Sequence, residues 1–575
     1  MEKTRKNTNK QSWKPFFKMM GKNVPWAWYV ANLVLGLILA ELTVRVPELT
    51  GRLMNGEIFD NVLVWQYVWV NVLLILGRTI QVISGSWVGN YTDRNLQRAL
   101  WKRLIRIPMR KYDEQNPSTL ISRVTSDCTQ VTIFLGNLFN SLASLYEMFL
   151  VFQMFYGMSR EISLALLLTV PYVLLVLIVP GRILFRATER MQGTLSQFTN
   201  FVTERMMNVK LVKSSAAESP ELQAGIQAAE ASYKAEVHMG IVEGVLYPFK
   251  NSITGVVEAV ILLVGAAMIS RSAMVLDDLV ILYMYAPLIA AYMFLYLSAF
   301  HQAKQAQGAT RVVADLMQTE PEKMERETSF TQDEADIVFD DVSFRYQDRD
   351  ILSHVSFSIP SGKMTAIVGP SGAGKTTILS LLERLYIPNE GTIRFGDTPV
   401  ETIHLNDWRG AAGYIQQTSP LLSGTIRDNI TYGMDRPVSD EEVIRAAKAA
   451  NAYDFIMRLP DGFQSSIGQL GGKLSGGERQ RIAIARMIIK DPDYVLLDEA
   501  TCGLDAENES EIQKTLDNMM EGRTAVVVAH NLRTIVNADN IVVLDRGRVQ
   551  AVGTHETLYK TNELYRRYID LQFAQ

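Results

Sequence analysis

One loop sets the architecture of this 575-residue chain: Gly369-Pro370-Ser371-Gly372-Ala373-Gly374-Lys375-Thr376-Thr377. A short apolar strand is predicted before it, and apolar residues at helical spacing follow it. In such a loop the glycines let backbone N–H groups turn toward phosphate oxygens, and Lys375 opens a helix whose N-terminal dipole adds positive potential. The hydroxyl of Thr376 is suited to Mg²⁺. The loop therefore predicts a nucleoside triphosphate site in an α/β domain.

A second motif supplies carboxylates. The run 494–497 is fully apolar and is bounded by Asp493 and Asp498. This pattern is typical of a buried parallel strand, whose carboxyl end would bring its acids to the nucleotide. We expect Asp498 to hold Mg²⁺ through water and Glu499 to act as the base that polarises the attacking water.

A third motif, Leu-Ser-Gly-Gly-Glu-Arg-Gln, occupies residues 474–480. With these three motifs in this order, downstream of several apolar spans, the chain resembles the ATP-binding cassette (ABC) transporters. Over nearly its whole length it resembles a half-size exporter, with the membrane domain first and the cassette second. The resemblance implies that the third motif contacts the γ-phosphate of ATP held by a second cassette, through Ser475, Gly476 and Gly477, with Glu478 beside them.

The resemblance assigns further residues. It implies that Tyr346 stacks on adenine, that Gln417 senses Mg²⁺ and faces the membrane domain, and that His530 touches the γ-phosphate. Asp505 ends the loop at which members of this family cross to their partner. Taken singly, Tyr346, Gln417 and His530 could equally be a strand aromatic, a surface amide and a core histidine. Their order and spacing around the motifs favour the nucleotide site.

Two departures from the family pattern concern coupling. The loop that the family usually writes Ser-Ala-Leu-Asp reads Cys502-Gly503-Leu504-Asp505, and the glutamate common just before the third motif is replaced by Gln469. Neither change removes a catalytic atom. Both lie where, by the resemblance, the cassette contacts its partner or the membrane helices.

The N-terminal half predicts a polytopic membrane domain. Hydrophobic residues make up 48% of the chain, and the mean hydropathy is near zero, which fits half membrane and half soluble protein. Apolar stretches of about 20 residues predict six spanning helices. They lie near residues 26–48, 62–84, 134–158, 162–181, 243–269 and 278–300. An even number returns the chain to the side on which it began.

Basic residues predict the orientation. Seven Lys or Arg and one acid precede Trp26, and eight Lys or Arg lie between residues 90 and 130. Both segments are therefore expected in the cytoplasm. The first span is not expected to be a cleaved signal peptide, because no small-residue cleavage pattern follows it and five more spans do. The lack of a mitochondrial-type presequence favours a bacterial inner membrane.

Long connections between the spans predict cytoplasmic extensions. No proline interrupts residues 62–107, and a helix over 62–111 would be roughly 75 Å long, against a hydrocarbon thickness of about 30 Å. Its apolar stripe would be Leu96, Leu100, Leu104 and Ile107. The resemblance implies that turns near 113–122 and 206–218 dock on the cassettes. A solvated charged helix without a coupling role is the alternative.

We therefore expect a membrane domain at 1–318, a polar acid-rich linker at 319–335 and a nucleotide-binding domain at 336–575. Neither unit is repeated, so by the resemblance two chains must pair to complete an ATP site. A homodimer is the simplest assembly, and a heterodimer with a homologous half-transporter remains open. Cys128 and Cys502 fall on predicted cytoplasmic segments, where a disulfide is unexpected. No nucleic-acid partner is expected.

Cargo is the least determined feature. Ionisable residues within spans mark a transport pathway by default, and Glu147 and Glu258 lie near the expected bilayer midplane. Four carboxylates in a dimer would favour cationic or amphipathic cargo. The alternative is interhelical pairing, with Arg45, Arg78 or Lys250 as partners. The leading function is export of drugs, lipids or peptides; import of a metal chelate, or an ATP-gated channel or regulatory subunit, are the alternatives.

Overall fold

The computed structural model describes residues 20–21, 23–54, 60–113, 123–289, 319–322, 335–468, 471–498, 506–529 and 532–573, with isolated positions between 290 and 316. The chain divides into two compact units. The first contains residues 1–105 and 117–319, and the second contains residues 106–116 and 320–575. A short segment after residue 105 thus belongs with the C-terminal unit.

The first unit is helical. Its helices are α1 (Trp26–Met54), α2 (Asn61–Leu104), α4 (Cys128–Met158), α5 (Arg160–Met207), α6 (Val209–Ser214), α7 (Glu218–Ser270) and α8 (Leu276–Met284), while α3 (Met109–Asp113) lies in the second unit. Within the described residues, five helices are long and apolar enough to cross a membrane. They coincide with the first five expected spans. The sixth expected span begins in α8 and continues into residues that are described only in part.

The expected helix over 62–111 is wrong at its C-terminal end, because α2 stops at Leu104. Pro108 has no N–H to donate to the carbonyl of Leu104, and its ring would clash with that carbonyl. At 44 residues α2 is still about 66 Å long, more than twice the hydrocarbon thickness of about 30 Å. Three residues of the expected apolar stripe, Leu96, Leu100 and Leu104, are buried on α2 at no more than 5% exposure; Ile107 is also buried but lies beyond the end of the helix.

Helices α5 and α7 also extend far beyond the spans expected within them, to 48 and 53 residues. Helix α5 begins where the Ser159 side chain accepts a hydrogen bond from the N–H of Ile162 at 3.2 Å. Their apolar residues contribute to a core shared with α4 and α8, which includes Phe155, Ile162, Val257, Ile261 and Leu282.

The second unit is α/β and contains two sheets. Its strands are β1 (Ile337–Tyr346), β2 (Arg349–Ile359), β3 (Met364–Val368), β4 (Glu390–Phe395), β5 (Thr398–Pro399), β6 (Ala412–Ile415), β7 (Tyr494–Asp498), β8 (Thr524–Val528), β9 (Asn540–Asp545) and β10 (Arg548–Gly553). One sheet has the order β2-β1-β4-β5 and is antiparallel. The other has the order β10-β9-β3-β8-β7-β6, and all its pairs are parallel except β9 with β10.

Helices cover these sheets. They are α9 (Lys375–Leu382), α10 (Leu405–Ala411), α11 (Ile426–Ile430), α12 (Asp440–Ala449), α13 (Tyr453–Met457), α14 (Gly476–Lys490), α15 (Ala506–Met520), α16 (Leu532–Val536), α17 (His555–Thr561) and α18 (Glu563–Phe573). Strands β3, β7 and β8 are buried almost throughout, as is typical of parallel strands with both faces covered. Because these strands are parallel, the residues that follow them meet at one edge of the sheet, where ligands of open α/β folds bind.

Candidate functional site

The glycine-rich loop joins β3 to α9 at this edge. Gly374 has a φ of +102°, and a Cβ there would lie 2.7 Å from a side-chain carbon of Leu352. A Cβ on Gly369 would lie 2.0 Å from the carbonyl oxygen of Leu544. Only glycine fits these two positions, and it keeps the backbone of the loop close to the sheet.

Lys375 lies at the first turn of α9 and is 6% exposed. Its Nζ donates to the carbonyls of Gly369 at 2.7 Å and Pro370 at 3.1 Å. The buried ammonium is therefore held over the centre of the loop, where a triphosphate would meet it. The rest of α9 is anchored by residues that are at most 1% exposed, namely Ile378, Leu379, Leu381 and Leu382.

Two of the residues expected to bind Mg²⁺ are brought together. The Thr376 hydroxyl lies 3.4 Å from Oδ1 of Asp498, which ends β7 and is 4% exposed. Hydroxyl and carboxylate oxygens are the hard ligands that Mg²⁺ takes, usually with several waters. The pair therefore fits the ion. The described residues contain no cluster of three or more His, Cys, Asp or Glu able to hold a metal, so an all-carboxylate site is not found there.

One residue of this site, Tyr414, belongs to none of the sequence motifs. Tyr414 lies on β6, which pairs with β7, and its hydroxyl is 3.5 Å from Oδ2 of Asp498. Burial, and then the negative charge of Asp498, raise the pKa of Tyr414, so its hydroxyl stays protonated and donates to the carboxylate. A tyrosine three residues before Gln417, on the strand next to the acidic one, was the available signal.

Tyr346 ends β1 and belongs to an aromatic cluster. Its ring is perpendicular to those of Phe344 and Tyr386, at centroid distances of 4.8 and 5.0 Å. The Tyr386 hydroxyl donates to Oδ2 of Asp113 at 2.7 Å. All these residues line a cavity of about 930 Å³. Tyr346 is half-buried, with its ring orientation held by its neighbours, as a residue that stacks on a base would need.

The third motif begins a helix. Ser475 is the N-cap of α14, and its Oγ accepts from the N–H of Glu478 at 3.3 Å. Glu478 in turn accepts from the N–H of Ser475 at 2.8 Å and from its hydroxyl at 2.9 Å. This capping box holds the helix start rigid. Ser475 and Gly476 are exposed, so the N-terminal N–H groups and the dipole of a 15-residue helix can be reached by an anion.

The other assignments divide into two groups. Gln417 is exposed in the segment after β6, at the same sheet edge as Asp498. Glu499, Asp505 and His530 lie outside the described residues, as do Gln469, Cys502 and Gly503. In the sequence, Glu499 is the residue after the last residue of β7, and His530 comes two residues after the end of β8.

The two acidic residues expected to line a transport pathway, Glu147 and Glu258, differ in their surroundings. Glu147 is 4% exposed and pairs with Arg78, whose Nη2 lies 3.4 Å from Oε1. This is the interhelical pairing that the sequence analysis kept as its alternative. Glu258 is half-buried on α7, and among the described residues it has no ion-pair or hydrogen-bond partner.

Two family models match the chain in succession. The model of the ABC transporter transmembrane region matches residues 26–293, and the ABC transporter model matches residues 352–502. A multidrug resistance ABC transporter ATP-binding and permease protein from Lactococcus lactis is 31% identical over 579 residues, covering 99% of this chain and 97% of the relative.

A second relative and a solved structure also match most of the chain. An ATP-dependent lipid A-core flippase from Saccharophagus degradans is 33% identical over 500 residues, covering 85% of this chain and 83% of its own. The structure of a bacterial Atm1-family ABC exporter with ATP bound superposes with a TM-score of 0.82 at 28% identity, covering 96% of this chain and 99% of that one.

Proposed function

Because the chain belongs to the ABC transporters, as an exporter-type half-transporter that couples ATP hydrolysis to transport, we propose that it acts as a homodimer that exports amphipathic drug or lipid molecules. The observation that supports the ATP-dependent step most directly is the approach of Thr376 to Asp498 beside the loop that holds Lys375. Full-length similarity to a multidrug transporter and a lipid flippase supports the cargo class.

We propose the following roles for the site residues. Lys375 and the loop N–H groups bind the β- and γ-phosphates, and Tyr346 stacks on adenine. Thr376, Asp498 and Gln417 would hold Mg²⁺, which would neutralise phosphate charge when bound. Glu499 takes a proton from the attacking water, and His530 stabilises the γ-phosphate.

Dimerisation is a property of the half-transporter architecture, and we propose that the ATP sites are composite. The exposed helix start at Ser475 and Gly476 is suited to bind phosphate. Its capping box is made by Ser475 and Glu478 and includes no residue of the glycine-rich loop. In a dimer it would close over ATP bound to the partner's loop. The tip between α5 and α7 also exposes apolar side chains, with Met207 81% and Leu211 65% exposed, and would dock on a cassette.

We propose that the membrane is a bacterial inner membrane. Both ends of the chain and both cassettes would lie on its cytoplasmic side, which the basic N-terminal segment supports. ATP binding would draw the cassettes together and open the membrane half outward, and hydrolysis would reset it. The ion pair of Glu147 with Arg78 offsets one of the two carboxylates that favoured cationic cargo, so amphipathic cargo is the better-supported class.

Mixed dimers test the composite site. A Lys375→Ala subunit and a Ser475→Arg subunit, carrying different affinity tags, are purified as a heterodimer in lipid. If sites are shared between chains, one site keeps both an intact loop and an intact third motif, and ATPase activity should return to about half that of the wild type. Each parent homodimer should be inactive. Sites confined to one chain predict no recovery.

Transport is tested with inside-out vesicles and the dye ethidium, with Glu499→Gln as the control that binds ATP without turnover. ATP-dependent accumulation inside the vesicles supports export, because the cytoplasmic side faces outward. Loss of dye from the lumen would indicate import. Full transport by Glu499→Gln would refute the assigned catalytic base.

A further inference from the structure

The C-terminal end of the phosphate-loop helix is tied to residues that no motif predicted. Trp408 on α10 donates through Nε1 to the carbonyl of Leu382 at 2.6 Å. The next residue, Arg409, donates through Nε to the carbonyl of Glu383 at 3.2 Å and through Nη2 to that of Arg384 at 2.9 Å. A helix end carries unpaired carbonyls and partial negative charge, so the guanidinium satisfies both requirements.

Arg409 also binds the linker. Its Nη1 lies 2.9 Å from Oε2 of Glu322, and its Nη2 lies 3.0 Å from Oε1. The two side chains are only 28% and 17% exposed. Two parallel bonds between arginine and carboxylate are strong and directional, unlike a typical surface ion pair.

The linker is in turn paired with the residues around the end of α2. The N–H of Glu322 donates to the carbonyl of Arg106 at 2.6 Å. Three residues earlier on each segment, Arg103 donates through Nη2 to the carbonyl of Thr319, also at 2.6 Å. The chain passes between its two units at three points, and the segments around two of them, 103–106 and 319–322, are thus hydrogen-bonded to each other in both places.

The helix of the third motif reaches the same point. Lys490 is the last residue of α14, and its Nζ donates to the carbonyl of Arg409 at 2.6 Å. We call Glu322, Glu383, Arg409 and Lys490 the linker junction. The two helices whose N-termini would bind ATP, α9 and α14, therefore both have their C-termini at the linker junction.

We propose that Arg409 is a positioning residue that attaches the linker, through Glu322, to the C-terminal end of the phosphate-loop helix, so that ATP-dependent movement of that helix is passed to the linker and to α2. This inference rests on the proposed ATP-driven homodimer. It assigns a coupling role to the linker in addition to the docking turns expected from the sequence. The pair would pass a displacement of α9 to the linker, because a bidentate bond fixes the relative position of the two side chains.

The experiment follows the two halves separately in full-length protein in lipid nanodiscs. A nitroxide at Ala273→Cys, in the exposed turn after α7, reports the distance between the two membrane halves of the dimer, and one at Lys560→Cys reports the distance between the cassettes. The background is Cys502→Ser, since Cys128 is buried. The probe is Mg²⁺ with the non-hydrolysable ATP analogue AMP-PNP.

The variants are Glu322→Gln, Arg409→Gln and the double variant. Arg394→Gln is the matched control, because Arg394 bonds Asp340 at 3.1 Å in an exposed pair of the same unit. In every variant we expect the cassettes to close at the same AMP-PNP concentration as in the wild type. The fraction of dimers whose membrane distance changes should fall about fivefold in both single variants, and the double variant should match Arg409→Gln. Arg394→Gln should behave as the wild type.

Three results would overturn the inference: an unchanged membrane response in the single variants, a fall of both responses together with the melting temperature, or an additive double variant. The first means that the linker junction is not needed for coupling, the second that it is merely structural, and the third that the two residues act independently. If the wild type shows no response at either label, the proposed function itself fails.

Discussion

Arg78 and Glu147 lie on different membrane helices, α2 and α4, and form an ion pair in which Nη2 is 3.4 Å from Oε1. The same nitrogen donates to the hydroxyl of Thr43 at 3.3 Å. The Arg78 side chain is 47% exposed whereas that of Glu147 is 6% exposed. The carboxylate is therefore held inside the helical unit by a partner that faces a more open space.

Removal of that partner should destabilise the protein. Arg78→Gln leaves a buried carboxylate unpaired, and the expected loss is about 3 kcal/mol. Adding Glu147→Gln should recover part of it, because the uncompensated charge disappears. Thermal unfolding in detergent measures both effects. Arg52→Gln is the control, since its pair with Glu48 is exposed on both sides, and equal losses in the two arginine variants would contradict the prediction.

Tyr346→Ala should weaken ATP binding by about 1–3 kcal/mol, the contribution of stacking a base on an aromatic ring. Binding of inorganic triphosphate should not change, because it has no base. Calorimetry with the two ligands makes the comparison. Tyr346→Phe keeps the ring and should bind ATP as the wild type does. Equal weakening for both ligands would mean that Tyr346 supports the loop and not the base.

Tyr414→Phe should raise the Mg²⁺ concentration needed for half-maximal ATPase activity by about fivefold, equivalent to one hydrogen bond of about 1 kcal/mol. The hydroxyl lies 3.5 Å from Oδ2 of Asp498 and orients that carboxylate. ATP affinity without Mg²⁺ should stay constant. Tyr432→Phe, at a tyrosine that is 58% exposed, is the control. An unchanged Mg²⁺ requirement in Tyr414→Phe would remove Tyr414 from the metal site.

Glu383 makes stability depend on pH. Burial raises the pKa of its carboxyl to about 7, although Lys490 and Arg409 oppose the shift, and within the described part of the chain its Oε1 has no hydrogen-bond partner. Tyr414 is the other titratable group that interacts with it. Since the unfolded carboxyl loses its proton near pH 4.5 and the folded one near pH 7, the folded state takes up a proton between these values.

Stability from this group is therefore present below about pH 4.5 and is lost as the pH rises toward 7. Glu383→Gln removes the titration, so its melting temperature should exceed that of the wild type by more at pH 8 than at pH 5. Melting curves at both values test this. Glu521→Gln, at an exposed acid, is the control. A difference between Glu383→Gln and the wild type that does not change with pH would contradict the raised pKa.

Local patterns predicted much of the fold because they encode short-range physics. Glycines at 369 and 374 signal a backbone that no side chain permits, and the apolar run 494–497 signals a strand buried on both faces. The end of α2 was misjudged because the effect of Pro108 reaches back four residues, to the carbonyl of Leu104, and so acts before the proline itself.

Motif spacing was sufficient to predict the phosphate loop and the acidic strand, since each is a contiguous segment whose chemistry depends on its own backbone. The contacts of Arg409 with Glu322 and of Tyr414 with Asp498 join residues 87 and 84 positions apart. No periodicity relates such residues. Their distance depends on how strands are ordered in the sheet and where the linker packs, and only folding of the whole chain brings these side chains together.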